Sequence, residues 1–321
     1  MITIDVIYYV VGAMFLAFAV LSVLDASNPK RLGNAAFWGL VGLSLWAGPY
    51  LGDVGNGMLV VAMVGVGGFG MLGRGAAVTT STEERQASSS RHGAWLFAPA
   101  LLIPLIAVGG TLAQDHTAWG AALIADKQAT LISLGLGCII ALVTTMVWLR
   151  PPLLAPLQEG RRLMDSIGWA SVLPQMLACL GAVFLAAKVG DVIGGTVTSA
   201  VPMDSAFVAV AAYCLGMALF TIIMGNAFAA FPVMTAAIGL PFVIIKFDGD
   251  PAVVGAIGML AGFCGTLMTP MAANFNVVPA NLLELPDRNA PLNGVIRAQI
   301  PTALPLLLVN IGLMYFLAFP R

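Results

Sequence analysis

A chain of 321 residues with 60% hydrophobic and 9% charged side chains cannot dress a water-exposed surface, because soluble domains carry about 25% charged residues. The formal net charge of −1 leaves no basic patch for nucleic acid. Apolar runs recur along the whole length, which excludes a soluble domain with one anchor and implies an all-α integral membrane protein.

The first run, IDVIYYVVGAMFLAFAVLSVL at 4–24, is long enough to span a bilayer. It has no basic leader and no small-residue cleavage site, so it reads as a retained helix. Further spans are expected at 35–51, 56–73, 95–113, 129–149, 168–187, 207–224, 232–246, 251–272 and 300–319, ten in all. The eighth is short, and residues 225–246 could span or re-enter. Glycine is dense at 52–75, which suits close helix packing in lipid. With no G-K-[ST] it is not a phosphate loop. Residues 74–94 are rich in Ser, Thr and charge. They read as a solvated loop between N-terminal helices (1–73) and a core transport domain (95–321).

Lys30, Arg31, Arg74, Arg85, Arg91, Arg150, Arg161 and Arg162 fall in alternate loops. The positive-inside rule then places those loops in the cytoplasm and the N-terminus outside. The run QEGRRLMDSIGWASVLPQMLACLG at 158–181 carries Arg161 and Arg162 as membrane-surface anchors, with Asp165 and Ser166 as helix caps. Ser171 and Gln175, around the kink-forming Pro174, make a deeper polar patch facing the clusters below. Cys138, Cys179, Cys214 and Cys264 lie in apolar runs without a C-x-x-C pair and read as packing residues. His92 and His116 are too far apart in sequence to suggest a metal site, and no metal or cofactor is expected.

Two stretches break the lipid-like pattern. TIIMGNAFAAFPVMTAAIGLP at 221–241 is interrupted at Gly225, Asn226 and Pro232, with Thr235 one turn on. GTLMTPMAANFNVVPANL at 265–282 combines Gly265, Thr266, Thr269, Pro270, Asn274 and Asn276. Lipid cannot satisfy a freed backbone group, so broken helices persist at membrane depth only where protein buries them or water reaches them. Paired broken helices of this kind form transporter sites, their N-termini favouring anions and their carbonyl ends cations. Asn226, Thr235, Thr266, Thr269, Asn274 and Asn276 are therefore the candidate substrate and ion ligands. Gly225, Pro232, Gly265 and Pro270 shape the breaks. No acid or histidine falls clearly mid-span, which points to Na⁺ coupling or to none in place of a proton relay. H-E-x-x-H and G-x-S-x-G motifs are absent, so no enzyme is expected.

The runs at 158–177, 225–241, 251–285 and 297–316 resemble domain-of-unknown-function family 979. That resemblance covers nearly the whole chain. It implies one subunit of a two-subunit bacterial 5-oxoproline (pyroglutamate) transporter of the inner membrane, encoded beside a smaller membrane subunit and a pyroglutamate-handling peptidase. The layout of breaks is also similar to the ion-transporter superfamily of carboxylate permeases, which implies alternating access. This chain is shorter than most of those, so a partner subunit or oligomer would supply the remainder. 5-Oxoproline carries a carboxylate, suited to helix N-termini and Thr hydroxyls, and a lactam, suited to Asn amides. Two other readings stay open. One is an accessory membrane subunit without its own substrate site. The other is a membrane enzyme, for which Glu284, Asp287 and Arg288 are the candidate reactive residues.

Overall fold

The computed structural model describes residues 1–76, 80–125, 128–283 and 290–319, and among them every named element is helical. Two compact units divide the chain, Met1–Gly168 and Trp169–Arg321. The division falls at Gly168 (φ 60°) and not at the polar stretch 74–94 where composition suggests it.

In the first unit α1 (Ile4–Leu24) packs along α2 (Arg31–Gly68). Straight, the 38 residues of α2 would extend about 57 Å. Yet the Asn34 amide donates to the Gly73 carbonyl at 2.8 Å, and the Gly73 N–H donates back to Asn34 Oδ1 at 2.8 Å. The chain therefore doubles back at Gly52, whose φ of 62° a side chain would resist. Asn56 fastens that turn by donating to the carbonyls of Gly48 and Gly52 at 2.8 and 3.0 Å. Each arm corresponds to one expected span. Where the arms close, Gly33 meets the Met71 carbonyl too tightly for any Cβ.

Residues expected as a solvated loop contain α3 (Thr82–His92). Ser81 Oγ accepts the Glu84 N–H and the Glu84 carboxylate accepts the Ser81 N–H, a reciprocal cap that starts a helix in polar sequence. Glu83 and Glu84 in its first turn and Arg91 and His92 in its last complement the helix dipole. After α3 come α4 (Ala98–His116), the short α5 (Ala118–Leu123) and α6 (Ala129–Leu149), with α4 and α6 packed together. The amphipathic α7 (Ala155–Ile167) closes the unit, with Gly160 seated on the Phe18 ring.

In the second unit α8 (Leu173–Ala186) and α9 (Val189–Ala200) meet at a 71° bend. Next come α10 (Ala206–Met224) and α11 (Ala227–Met234), the latter running on as a π-helix, Thr235–Lys246. Then follow α12 (Pro251–Leu267), a π-helical turn Ala273–Val277, α13 (Val278–Leu282) and α14 (Pro291–Leu317). Tyr213, Met217, Ile238, Val254 and Met314 fill the core between α10, the α11 run, α12 and α14. The Lys246 ammonium donates to the Met203 carbonyl at 2.6 Å. The 227–246 run thus returns along the full length of α10, which favours a span over a re-entrant loop.

Seven helices among the described residues are long and apolar enough to cross a membrane, or eight if α8–α9 is one broken span. Ten were expected; the two arms of α2 form one continuous element, and α12, at 17 residues, is short for a helix that crosses a bilayer. The chain is an all-α, multi-span membrane protein. Cys214 and Cys264 are core residues as expected, whereas Cys138 and Cys179 lie on exposed helix faces.

Candidate functional site

The two broken segments, read in sequence as separate clusters, touch each other. Gly225 ends α10 with φ 76°, and a Cβ there would stand 2.6 Å from the Met271 Cβ and 2.7 Å from its carbonyl oxygen. Glycine is required twice over, by the backbone and by the neighbour. Thr269 donates its hydroxyl to the Ile222 carbonyl at 2.7 Å, tying the end of α12 to the end of α10. The carbonyl ends of two helices are thereby brought together.

Asn276 is fully buried and completes this joint. Its amide donates to the Thr266 and Thr269 carbonyls at 2.9 and 2.6 Å, satisfying two orphans at the end of α12. Its Oδ1 is buried with no hydrogen-bond partner among the described residues. Thr221, one turn before Gly225 and also fully buried, has an unpartnered hydroxyl as well. Nothing in the sequence reading singled Thr221 out, because a threonine inside an apolar helix usually bonds its own backbone. Thr266 does so, donating to the Phe263 carbonyl at 2.6 Å.

The opposite helix ends open onto a cavity. Asn226 caps α11, its Oδ1 accepting the Phe228 N–H at 2.7 Å. A cavity of about 30 Å³ is lined by Gly225, Asn226, Ala227, Thr266, Ala272 and Ala273, and so by the starts of both α11 and the 273–277 turn. Leu173 and Leu177 of α8 wall one side. Phe228, Phe263 and Phe275 wall another, with ring centroids 5.9 Å apart for the first pair and 5.8 Å for the second. This aromatic wall escaped the sequence reading because phenylalanines are unremarkable in membrane helices.

Several candidates lie elsewhere. Thr235 pairs with the Tyr213 hydroxyl at 2.9 Å, nine residues along the run from Asn226 and away from the cavity. Gly265 does not shape a break: it sits inside α12, pressed against the Ala218 carbonyl, and serves the α10–α12 contact. Pro232 lies within α11, where its missing N–H frees the Phe228 carbonyl without ending the helix. Pro270 stands in the exposed turn after α12. Ser171 has a buried, unpartnered hydroxyl in the 3₁₀ turn Gly168–Ser171 and does not line the cavity. The side chains of Asn274 and Gln175 lie outside the described residues, as do Glu284, Asp287 and Arg288.

The joint is off-centre. The Gln299 amide donates to the Phe275 carbonyl at 3.1 Å, which fixes the joint's level on α14. At 1.5 Å per residue, α14 extends about 12 Å beyond that level toward its N-terminus and about 27 Å toward its C-terminus.

No curated protein and no solved structure matches this chain. A family model described as protein of unknown function (DUF979) matches residues 5–319, so the chain belongs to the DUF979 family.

Proposed function

We propose that the chain is a subunit of a secondary transporter that carries a small organic anion across the bacterial inner membrane. The observation that supports this most is the shared cavity at the starts of α11 and the 273–277 turn. The starts of a helix and of a helical turn bordering one space favour a carboxylate there. The family resemblance supplies 5-oxoproline as the substrate and a smaller membrane protein as the partner. The joined carbonyl ends of α10 and α12, beside the open Asn276 Oδ1, suit a coupling cation such as Na⁺.

At about 30 Å³ the cavity holds one or two waters and no organic anion. In this reading the conformation is closed, and substrate enters when α8 or the Phe263 wall moves. Arg297 lies on the arm of α14 nearer the joint. By the positive-inside rule the joint is closer to the cytoplasm, in keeping with an external N-terminus.

A second reading, an accessory subunit, draws on the fact that Asn226 Oδ1 and the Asn276 amide are already occupied by backbone. Asn226→Asp separates the two. It keeps the capping oxygen and adds negative charge at the cavity. Cells expressing the chain with its smaller neighbour should take up labelled 5-oxoproline in Na⁺, and removing Na⁺ should abolish that uptake if Na⁺ is the coupling ion. Asn226→Asp should cut that uptake at least tenfold at unchanged membrane expression. Full uptake by the variant would favour the accessory reading. No uptake by the parent pair would remove 5-oxoproline as the substrate.

A further inference from the structure

The first unit holds a second polar cavity, of about 220 Å³, lined by Asp25, Arg74, Arg161, Arg162 and Asp165 among others. Its volume exceeds that of a single water many times over. Two ion pairs engage Asp25, Arg162 and one nitrogen of Arg161. Arg162 chelates Glu159 at 2.9 and 2.6 Å, and Arg161 Nη1 pairs with Asp25 at 2.9 Å. Among the described residues, three groups keep open valences. Arg161 Nε is buried with no partner among them. Of the described groups, Arg74 donates only to the Ser166 carbonyl, at 2.8 Å, and no described carboxylate stands within 4 Å of it. Asp165 Oδ1 accepts from the Asn34 amide and the Trp38 indole, at 2.8 and 2.7 Å, while no hydrogen bond from the described residues reaches Oδ2.

The cavity thus offers unpaired guanidinium N–H groups on one side and an unpaired carboxylate oxygen on the other. Guanidinium donors match oxyanions in geometry and charge. A carboxylate oxygen accepts only from an N–H or O–H. We propose that this cavity binds a monoanionic oxyanion bearing a neighbouring N–H or O–H donor, the oxyanion between Arg74 and Arg161 and the donor on Asp165 Oδ2. Two sources supply that chemistry: a free small carboxylate with an amide or hydroxyl, and a phospholipid whose phosphate carries a hydroxylated headgroup. Amphipathic α7, which contributes Arg161, Arg162 and Asp165, is the kind of helix that lies at a bilayer surface where either is present.

The test uses the purified full chain in nanodiscs. In phosphatidylcholine discs, calorimetry with 5-oxoproline and with acetate, which lacks the donor, reads the free source. Discs containing phosphatidylglycerol, with native mass spectrometry of retained lipid, read the lipid source. Arg74→Gln leaves the Arg161–Asp25 pair intact and should weaken binding at least tenfold in whichever arm binds. Asp165→Asn keeps the Oδ1 acceptor and should reduce 5-oxoproline affinity to that of acetate, or lipid retention to that of a headgroup without hydroxyls. Asn226→Asp removes any 5-oxoproline bound at the helix-joint cavity, and the binding that Arg74→Gln weakens should persist in it. No binding in either arm by folded protein would overturn the proposal. Binding that Arg74→Gln leaves intact and Asn226→Asp abolishes would overturn it too, and would assign the anion to the joint.

Discussion

Asp165 and Asp25 sit in one cavity wall with opposite acidities. Burial pushes the Asp165 carboxyl above its ordinary 3.8, outweighing the N–H groups of Trp38 and Asn34 and the nearby Arg161 charge that favour ionisation. At Asp25 burial opposes ionisation too, but hydrogen bonds from Ser27 and Arg161 prevail and hold its carboxyl below 3.8. A raised carboxyl keeps its proton in the folded state through a window where the unfolded chain has lost it, so stability falls as pH climbs through that window. Asp165→Asn removes this cost and keeps the acceptor for Trp38 and Asn34. Its melting temperature relative to the parent should rise from about pH 4 toward neutrality and level off above the raised pKa. Asp25 acts in the other sense, losing its contribution as pH falls below 3.8, and cancels in the difference. A pH-independent difference between parent and variant would refute this account.

Single residues also mark what the sequence could and could not disclose. Gly225 and Asn226 were legible as a break because glycine followed by a capping amide inside an apolar run has few other uses. The contact of Gly225 with Met271 and the bond from Thr269 to Ile222 were not legible, since Ile222 and Thr269 stand 47 positions apart and nothing local encodes the pairing. Thr235 shows the converse error: proximity in sequence suggested a shared site, but nine residues of helix carry it to Tyr213.

At the scale of elements, composition and span length located most membrane helices, because the bilayer imposes one length and one polarity on each. The reversal of α2 at Gly52 was legible, because the expected spans 35–51 and 56–73 part there, and the Asn34–Gly73 bonds close its two arms. One feature needed a finer signal. The helix α3 was mistaken for loop because its sequence is polar throughout, although Ser81 and Glu84 carry the spacing of a capping box. With no buried face, α3 depends on that cap. Ser81→Ala should cost it about 1 kcal/mol and speed hydrogen exchange of the 82–92 amides roughly fivefold. Mass-spectrometric exchange on the membrane-embedded protein reads this directly, and unaltered protection would show that packing and not capping holds α3.

For the whole molecule, the division after Gly168 separates a unit of paired spans from a unit of broken ones. The sequence placed its boundary in the most polar stretch, but polarity reports exposure to water, whereas the units are set by which helices pack together. The off-centre joint on α14 has an electrical meaning. In the transporter reading, with α14 spanning the field end to end, about 12 Å of helix lies on one side and about 27 Å on the other, so a charge held there has crossed roughly a third of the transmembrane field, measured from the nearer end. A full crossing is worth about 2.3 kcal/mol per elementary charge at 100 mV, so the short leg accounts for roughly 0.7 and the long leg for roughly 1.6. Uptake by proteoliposomes clamped with potassium and valinomycin should show this asymmetry. On that reading, exchange at the near face should change about threefold per 100 mV and entry from the far face more than tenfold, so membrane voltage would be a stronger lever on loading from one compartment than on unloading into the other.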